Sequence, residues 1–320
     1  MFDLALETPH TNNVQPKACL PALQQSAEFA GALRHLGRTP LILKSLNRTL
    51  VLHRRLWPGV PVAMVPRARI RKPLRLLEIL QEQGLRKTLI LISPDHPVPE
   101  LSDHGAVPVL SPAYAAIVDL GSDQDQMRQQ LHQKWRNRLV HAESQGLFVT
   151  CEQLPQDPEH WLLQNDHAQR AERGYKTWPV ALTLAYAREN PGQARVFTAF
   201  EGPRPIASVL ILRHATAATY HIGYTTRRGK ELSAHNLLIW NAMTWLGERG
   251  CLQLDLGLIN TEDAPGLARF KLGTGARLHR MGGTWAWWPP LGRCLHPLGR
   301  LDRGLMTPRK TGQLGGSQFI

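Results

Sequence analysis

The segment AATYHIGYTTRRGKELSAHNLLIWNAMTWLGERGCLQLDLG, residues 217–257, decides the fold. Residues 217–222 alternate between two faces and predict a strand, which a polar turn containing Gly229 follows. Ser233 is the predicted N-cap of a helix whose apolar residues recur at helical spacing until Gly250. Apolar and other residues alternate again over residues 252–257, which predicts a second strand. The segment therefore predicts a strand, a turn, a helix packed on a sheet, and a further strand of that sheet.

The rest of the chain repeats this mixture of strands and helices. In the first half, helices are predicted over residues 27–36 and from Pro73, and strands over residues 40–43, 49–53, 60–65, 88–92 and 115–120. In the second half, strands are predicted over residues 147–150, 195–200 and 205–212, with helices over 159–170 and 180–188. Residues 123–145 predict one long amphipathic helix that joins the halves. The similar element orders favour two related α+β domains.

A chain of 320 residues exceeds the usual size of one domain. We predict a flexible lead over residues 1–20, an N-terminal domain over 21–120 and a C-terminal domain over 121–290. Basic residues and glycines dominate residues 291–320, which we predict to be a flexible tail.

The chain carries 38 Lys and Arg against 25 Asp and Glu, a formal net charge of +13. This excess favours an anionic partner such as RNA, a phosphorylated substrate or an acidic membrane surface, although a basic protein with solvated charges is the alternative. The four cysteines lie far apart, with no C-x-x-C pair, so no metal site or disulfide framework is indicated. Without a signal peptide or a long apolar run, we expect a cytoplasmic protein, and peripheral membrane contact through the tail stays open.

Four motifs occur in a fixed order along the second half: KWRNRLVHAESQGL at 134–147, NLLIW at 236–240, LDLG at 254–257 and GLARFKLG at 266–273. Together with the element order, they resemble the FemABX-like aminoacyl- and acyltransferases of the GNAT superfamily. The resemblance covers most of the chain. It implies tandem GNAT-like domains, each a mixed twisted sheet flanked by helices, with the active cleft in the second domain.

The resemblance also implies acyl transfer to a nitrogen atom. The leading hypothesis is transfer of an aminoacyl group from aminoacyl-tRNA to a small amine acceptor, in an envelope precursor or related metabolite. The alternative is transfer from acyl-CoA to an amino sugar, polyamine or lipid precursor. In both cases the donor is a co-substrate, and no tightly bound cofactor is expected. A third hypothesis is a non-catalytic RNA- or membrane-binding protein, and the sequence leaves the oligomeric state open.

Lys271 is the candidate catalytic residue, because Phe270 and Lys271 match a Phe-Lys pair of the family. The resemblance implies that this lysine binds substrate phosphate or stabilises the tetrahedral species. Gly273 and Gly275 would let the backbone approach a ligand closely. The alternative is a solvated lysine after a short helix.

The predicted substrate-binding residues combine the motifs with local chemistry. Lys134 and Arg138 share a helix face and suit a phosphate or carboxylate, although charges on a helix are often only solvated. A tyrosine beside Gly223 could orient a carbonyl, or pack in the core, and the family carries an arginine near the acceptor cleft. The full set is Lys134, Arg138, Arg173, Tyr220, Tyr224, Asn236 and Phe270.

The general base stays open among four residues. His221 and His235 titrate in the right range but are more often structural, and Glu231 and Asp255 are carboxylate alternatives. Asp255 could instead hold backbone N–H groups at the end of its strand.

The turn at residues 228–234 bears on the donor. Acyl-CoA enzymes of this fold bind pyrophosphate on a turn close to R-x-x-G-x-G/A. Here Glu231 brings a negative charge and the later glycine is missing, which favours aminoacyl-tRNA. The positive net charge points the same way. The long charged helical hairpin of the cell-wall enzymes, however, has no counterpart in the sequence.

Overall fold

The computed structural model describes residues 20–46, 48–56, 59–121, 123–174, 178–301 and 303–307, so most of the predicted lead lies outside the described residues. The helices are α1 (Ala27–His35), α2 (Pro73–Leu80), α3 (Gln124–Gln130), α4 (Gln133–Glu143), α5 (Trp161–Arg173), α6 (Val180–Glu189), α7 (Arg227–Glu231), α8 (Ala234–Glu248), α9 (Pro265–Leu272), α10 (His296–Leu301) and α11 (Arg303–Met306). The strands are β1 (Leu41–Leu43), β2 (Thr49–Leu56), β3 (Val60–Ala68), β4 (Leu89–Pro94), β5 (Val107–Leu110), β6 (Tyr114–Asp119), β7 (Phe148–Gln153), β8 (Ala194–Glu201), β9 (Arg204–His214), β10 (Ala217–Thr225), β11 (Gln253–Ile259), β12 (Arg277–Arg280) and β13 (Thr284–Trp287).

These strands form two mixed sheets flanked by helices, which confirms the predicted α+β class with tandem GNAT-like domains. The first sheet has the order β1-β2-β3-β4-β13-β5, and the second has the order β12-β6-β11-β10-β9-β8-β7. Within them, β3 with β4 and β10 with β11 are parallel pairs, and the other neighbours are antiparallel.

The two sheets exchange strands across the predicted boundary at residue 120. Strand β6 precedes that boundary but lies in the second sheet, between β12 and β11, and β13 follows most of the second half but lies in the first sheet. Residues 115–118 of β6 are almost completely buried, as a central strand requires. The predicted limits 21–120 and 121–290 therefore separate the halves of the sequence but not the two sheets.

The single long helix predicted over residues 123–145 is wrong, because the chain breaks into α3 and α4. Leu131 and His132 have extended ψ values of 135° and 140°. Leu131 is buried, and the His132 N–H donates to the Gly273 carbonyl 2.9 Å away instead of to its own helix. The break turns Trp135 and Leu139 into the core beneath α8. The tertiary contact thus overrides the helical spacing.

Helix α8 begins where the sequence predicted, and Ser233 occupies its N-cap position without a capping hydrogen bond. Ser233 has a left-handed φ of 54° and its side chain caps nothing. A short helix that the sequence did not predict, α7, precedes α8. Thr226 caps α7, because its Oγ1 accepts the Gly229 N–H at 3.0 Å.

The described part of the predicted tail, up to residue 307, contains two short helices. Helices α10 and α11 cover part of residues 291–320, and Met306 is buried beside Gly283, where a Cβ would come within 2.6 Å of the Leu110 carbonyl. Arg303 forms an ion pair with Asp103 at 2.6 Å. Within the described ranges, no helix has both the length and the apolar character needed to cross a bilayer. Peripheral membrane contact stays a prediction.

A buried ionic network joins the two sheets. From β3, the Arg67 Nε donates to Asp95 at 2.9 Å and its Nη1 donates to Asp255 of β11 at 2.5 Å. Burial opposes the charge of Arg67, but the two carboxylates outweigh it and raise its pKa. Burial also opposes ionisation of Asp95, yet the hydrogen bond from His279 and the charge of Arg67 lower its pKa. The guanidinium therefore bridges a carboxylate that follows β4 of the first sheet and a carboxylate within β11 of the second.

We predict that Arg67→Met lowers the free energy of unfolding by about 3–5 kcal/mol, because it leaves two buried carboxylates without their cation. Urea denaturation followed by circular dichroism measures the loss. The matched control is Arg75→Met, whose ion pairs with Glu78 and Glu82 are solvent-exposed and should contribute nothing measurable. An equal effect of the two substitutions would show that burial of the network is unimportant.

Candidate active site

A cleft of about 1550 Å³ opens where β10 and β11 separate. The two strands are paired only over residues 217–219 and 253–255, and beyond this point they diverge. Helices α5, α8 and α9 form the other walls. A sheet that splays in this way leaves backbone and side chains of two strands facing one cavity, which is the usual place for a ligand in a mixed sheet.

Most of the predicted site residues reach this cleft. It is lined by Arg138, Tyr220, Asn236, Phe270 and Lys271. The Asn236 side chain is 4% exposed, and its Nδ2 has no hydrogen-bond partner within the described residues. A ligand carbonyl or phosphate oxygen could satisfy that donor.

Two of the predicted residues lie elsewhere, and the side chain of a third is not described. Lys134 lines a smaller neighbouring cavity, which it shares with Arg138. Tyr224 is absent from the lining of the cleft, and its ring packs edge-on against Trp161 at 5.4 Å. Tyr224 therefore packs in the core, which the sequence left open as the alternative to substrate binding. Arg173 is the last residue of α5, and its side chain lies outside the described part of the chain.

Lys271 lies buried at the wall of the cleft, on the last turn of α9. Its side chain Nζ donates to the Leu258 carbonyl at 2.8 Å. Burial lowers its pKa to about 8, against the opposing effect of the Asp255 carboxylate. An ammonium group has three N–H donors, and this carbonyl uses one. Lys271 is therefore mostly protonated at neutral pH and can donate to a ligand.

Asp255 supports Lys271 instead of acting as a free base. Its Oδ1 accepts the Gly257 N–H at 2.7 Å, and its Oδ2 is held by Arg67. Gly257 has a φ of 81°, and a Cβ there would lie 3.6 Å from the Lys271 Nζ. Asp255 thereby fixes the turn that presents the Leu258 carbonyl to Lys271. Asp255 therefore holds a backbone N–H group near the end of its strand, the role that the sequence allowed as an alternative to a general base.

His235 connects two hydroxyl groups beside the cleft. Its Nδ1 lies 2.7 Å from the Thr225 Oγ1, and its Nε2 lies 3.3 Å from the Tyr220 hydroxyl. Burial lowers the pKa of His235 to about 4, so the imidazole is neutral at pH 7. Gly223 makes room for this arrangement, because a Cβ there would lie 1.8 Å from the Tyr220 hydroxyl. Thr225 was missed, since nothing in the sequence marks it.

The other candidate bases are also constrained. Burial lowers the pKa of His221 to about 3, and its Nε2 lies 3.0 Å from the Thr183 hydroxyl. Glu231 does not line the cleft, since its carboxylate pairs with Arg227 and Arg228. The expectation that Glu231 brings negative charge to the donor site is therefore wrong. Lys230 lines the cleft at that point instead.

The turn before α8 uses at least two of its backbone N–H groups internally. Gly229 donates to the Thr226 hydroxyl, and Lys230 donates to the Thr226 carbonyl. A Cβ at Gly229 would lie 2.4 Å from the Ile206 carbonyl, so this glycine is required for packing against β9. These N–H groups are not arranged to bind a pyrophosphate as an open glycine-rich turn does.

Comparison with known proteins agrees with this architecture. Residues 126–272 match the model of the acetyltransferase (GNAT) domain family. The whole fold is similar to the crystal structure of FemX, with a TM-score of 0.68 and 13% identity, over 88% of this chain and 94% of that chain. This chain thus contains a GNAT acetyltransferase domain, within a fold shared with FemX. It is accordingly an acyltransferase.

Two further structures share the fold. The C-terminal domain of a putative lysylphosphatidylglycerol synthetase from Agrobacterium fabrum has a TM-score of 0.56 and 14% identity, over 88% of this chain and 93% of that chain. L-PGS from Bacillus licheniformis has a TM-score of 0.50 and 13% identity, over 89% of this chain and 97% of that chain. The comparison with curated protein sequences gives no match.

We predict that Lys271→Met stabilises this acyltransferase at pH 7. The lowering of the Lys271 pKa from 10.5 to about 8 corresponds to about 3 kcal/mol of destabilisation by the buried charge. Losing the bond to the Leu258 carbonyl offsets part of this, so the expected gain is about 1–2 kcal/mol.

The pH dependence of unfolding shows whether the buried charge of Lys271 causes the stability gain of Lys271→Met. Between pH 8 and 10.5 the unfolded protein binds more protons at this residue than the folded protein, so wild-type stability rises with pH and the advantage of the variant shrinks. Denaturation at pH 7, 8.5 and 10 measures both proteins. An advantage that stays constant with pH would contradict a buried, titrating Lys271.

Proposed function

We propose that this acyltransferase moves an aminoacyl group from aminoacyl-tRNA to a primary amine of an envelope precursor or related metabolite in the cytoplasm. The observation that carries the proposal is Lys271, a buried ammonium with spare donors beside a cleft large enough for both substrates. A buried cation is costly for the fold, and a transferred acyl group needs one where its oxyanion develops.

In the proposed reaction, the nitrogen of the neutral acceptor amine attacks the ester carbonyl of the donor. A C–N bond forms, and the carbonyl oxygen becomes an oxyanion to which the Lys271 ammonium donates. The ester C–O bond then breaks. The ribose hydroxyl leaves with the proton that the amine has lost, so the transfer requires no other reactant. Holding both substrates in one cleft supplies much of the rate enhancement.

Tyr220 is the proposed positioning residue on the opposite side of the cleft. Its hydroxyl lies beside neutral His235, which the Thr225 hydroxyl holds in turn. These hydrogen bonds fix the Tyr220 phenol where it can orient the donor carbonyl or the departing oxygen. The remaining predicted residues Arg138, Asn236 and Phe270 are proposed to bind the substrates from the same cleft.

Two observations support an RNA donor. The N–H groups of Gly229 and Lys230, in the turn before α8, are engaged within α7, so these two donors are not available to the CoA pyrophosphate. The net charge of +13 suits a polyanion such as the acceptor stem of tRNA. The similar fold of FemX and the lysylphosphatidylglycerol synthetases is compatible with an aminoacyl donor.

The second candidate function is transfer from acyl-CoA to an amine. The match of residues 126–272 to the acetyltransferase domain model favours it, and Lys230 places a cation at the relevant end of the cleft. A third candidate, binding of RNA or membrane without catalysis, would leave the buried charge of Lys271 without a chemical use.

A transfer assay distinguishes the donors. We expect purified protein to move label from mixed aminoacyl-tRNAs into small amines of a metabolite extract, and Lys271→Ala to lower the rate roughly 100-fold or more, as loss of an oxyanion donor does. Label transferred only from acetyl-CoA would replace the donor while keeping the reaction class. Transfer from neither, with retained RNA binding, would favour the non-catalytic function.

The two tyrosines provide a matched pair for the site geometry. We expect Tyr220→Phe to lower kcat about 10-fold, because it removes a hydroxyl that faces the cleft. Tyr224→Phe keeps the ring that packs on Trp161 and should leave kcat within about 2-fold of wild type. Steady-state kinetics with the donor found above measures both, and a larger effect of Tyr224→Phe would show that the cleft is wrongly assigned.

A further inference from the structure

A second cavity of about 740 Å³ lies directly beside the cleft. Helix α4 forms one wall and helix α9 forms the other. Arg138, Gly266 and Phe270 line both cavities, so the two are directly adjacent. The volume is typical of a pocket that encloses a small molecule or part of a larger one.

The charged residues that line this second cavity are all basic. Its lining includes His132, Lys134, Arg138 and Arg269, and within the described residues no acidic side chain lines it. Lys134 and Arg138 form no ion pair with a described residue, and Arg269 donates only to the Pro265 carbonyl, at 3.3 Å. A concave, solvent-accessible surface of this sign attracts an anion, and arginine binds phosphate oxygens with two parallel donors.

The wall that α4 contributes to this cavity also includes Trp135, which has a hydrogen-bond donor that is unpaired among the described residues. Trp135 is 4% exposed, and its indole N–H has no acceptor in the part of the chain that the structure describes. The adjacent edge of the ring lies against Gly273, where a Cβ would come within 2.7 Å of Trp135 Cδ1. Buried donors are normally satisfied, so the unpaired Trp135 N–H is an exception at the wall between α4 and α9.

Helix α9 connects the two cavities through three consecutive residues. Arg269 faces the second cavity, Lys271 faces the cleft, and Phe270 lines both. The Phe270 ring lies 6.0 Å from that of Trp135 on one side and 5.2 Å from that of His235 on the other. An anion held at Arg269 would therefore be one aromatic ring away from the position where Lys271 meets the acyl group.

We propose that the second cavity binds the phosphodiester groups at the 3′ end of the donor RNA and thereby directs its aminoacyl ester past Phe270 to Lys271. The inference rests on the proposed function, because it assigns a place to the donor of that reaction. Binding through phosphates carries no base sequence, so this cavity positions the RNA terminus without selecting among tRNAs.

The test measures binding of an uncharged RNA minihelix with a single-stranded CCA end, by fluorescence anisotropy at 50, 100 and 200 mM KCl. The variants are Lys134→Gln, Arg269→Gln and the double substitution. Arg75→Gln is the control, because it removes the same charge from an ion-paired surface of the first domain. We expect each cavity variant to weaken binding about 5-fold at 50 mM salt, and to reduce the slope of log K against log salt by about 1. The control should show neither change.

The outcomes separate this inference from the proposed function. Minihelix binding that is equal in wild type and cavity variants would overturn the cavity assignment and leave aminoacyl transfer intact. If the minihelix does not bind but CoA does, both the RNA cavity and the RNA donor are wrong. Weaker binding in the cavity variants and in Arg75→Gln alike would show a general charge effect and would also overturn the assignment. Circular dichroism at each step confirms that the variants are folded.

Discussion

Arg67 lies between two buried carboxylates that belong to different sheets, and this arrangement constrains most of the molecule. Asp95 directly follows β4 of the first sheet, whereas Asp255 lies within β11 of the second. Two buried carboxylates without a cation would repel each other and lose their hydration, so the sheets can approach at this place only with Arg67 between them. The residue is held with a left-handed φ of 45° at an irregularity in β3, which shows that the surrounding structure dictates its position.

The candidate active site depends on the same network. Asp255 holds Arg67 with one oxygen and the Gly257 N–H with the other, and the turn after Gly257 presents the carbonyl that binds Lys271. From the other side, α9 is fixed against the break between α3 and α4, where the His132 N–H meets the Gly273 carbonyl. Lys271 is thus positioned by contacts that cross both the sheet interface and the helix junction. A site assembled in this way tolerates little independent movement of its parts.

The sequence predicted those features that local patterns express. Period-two alternation marked β11, helical spacing marked α8, and the Phe-Lys pair drew attention to residues that line the cleft. It could not predict features that arise from distant contacts. The partner of Asp255 is 188 residues away, and the break at Leu131 depends on Gly273. The exchange of β6 and β13 depends on pairing with β11 and β4, which lie far away in the sequence. Tyr224 and Tyr220 look equivalent in the sequence, and only the bulge in β10 between residues 220 and 222 separates their environments.

The shared carboxylate also explains why Lys271 can be buried and still titrate near neutral pH. A lone buried carboxylate close to a lysine would favour the charged ammonium and raise its pKa. Here Asp255 is already paired with Arg67 and accepts a backbone N–H, so its field at Lys271 is largely cancelled and burial dominates. The lysine therefore keeps a positive charge that few groups in the protein compensate. Such a charge interacts most strongly with a negative charge that appears only during the reaction, which is the condition for stabilising the transition state in preference to the substrate.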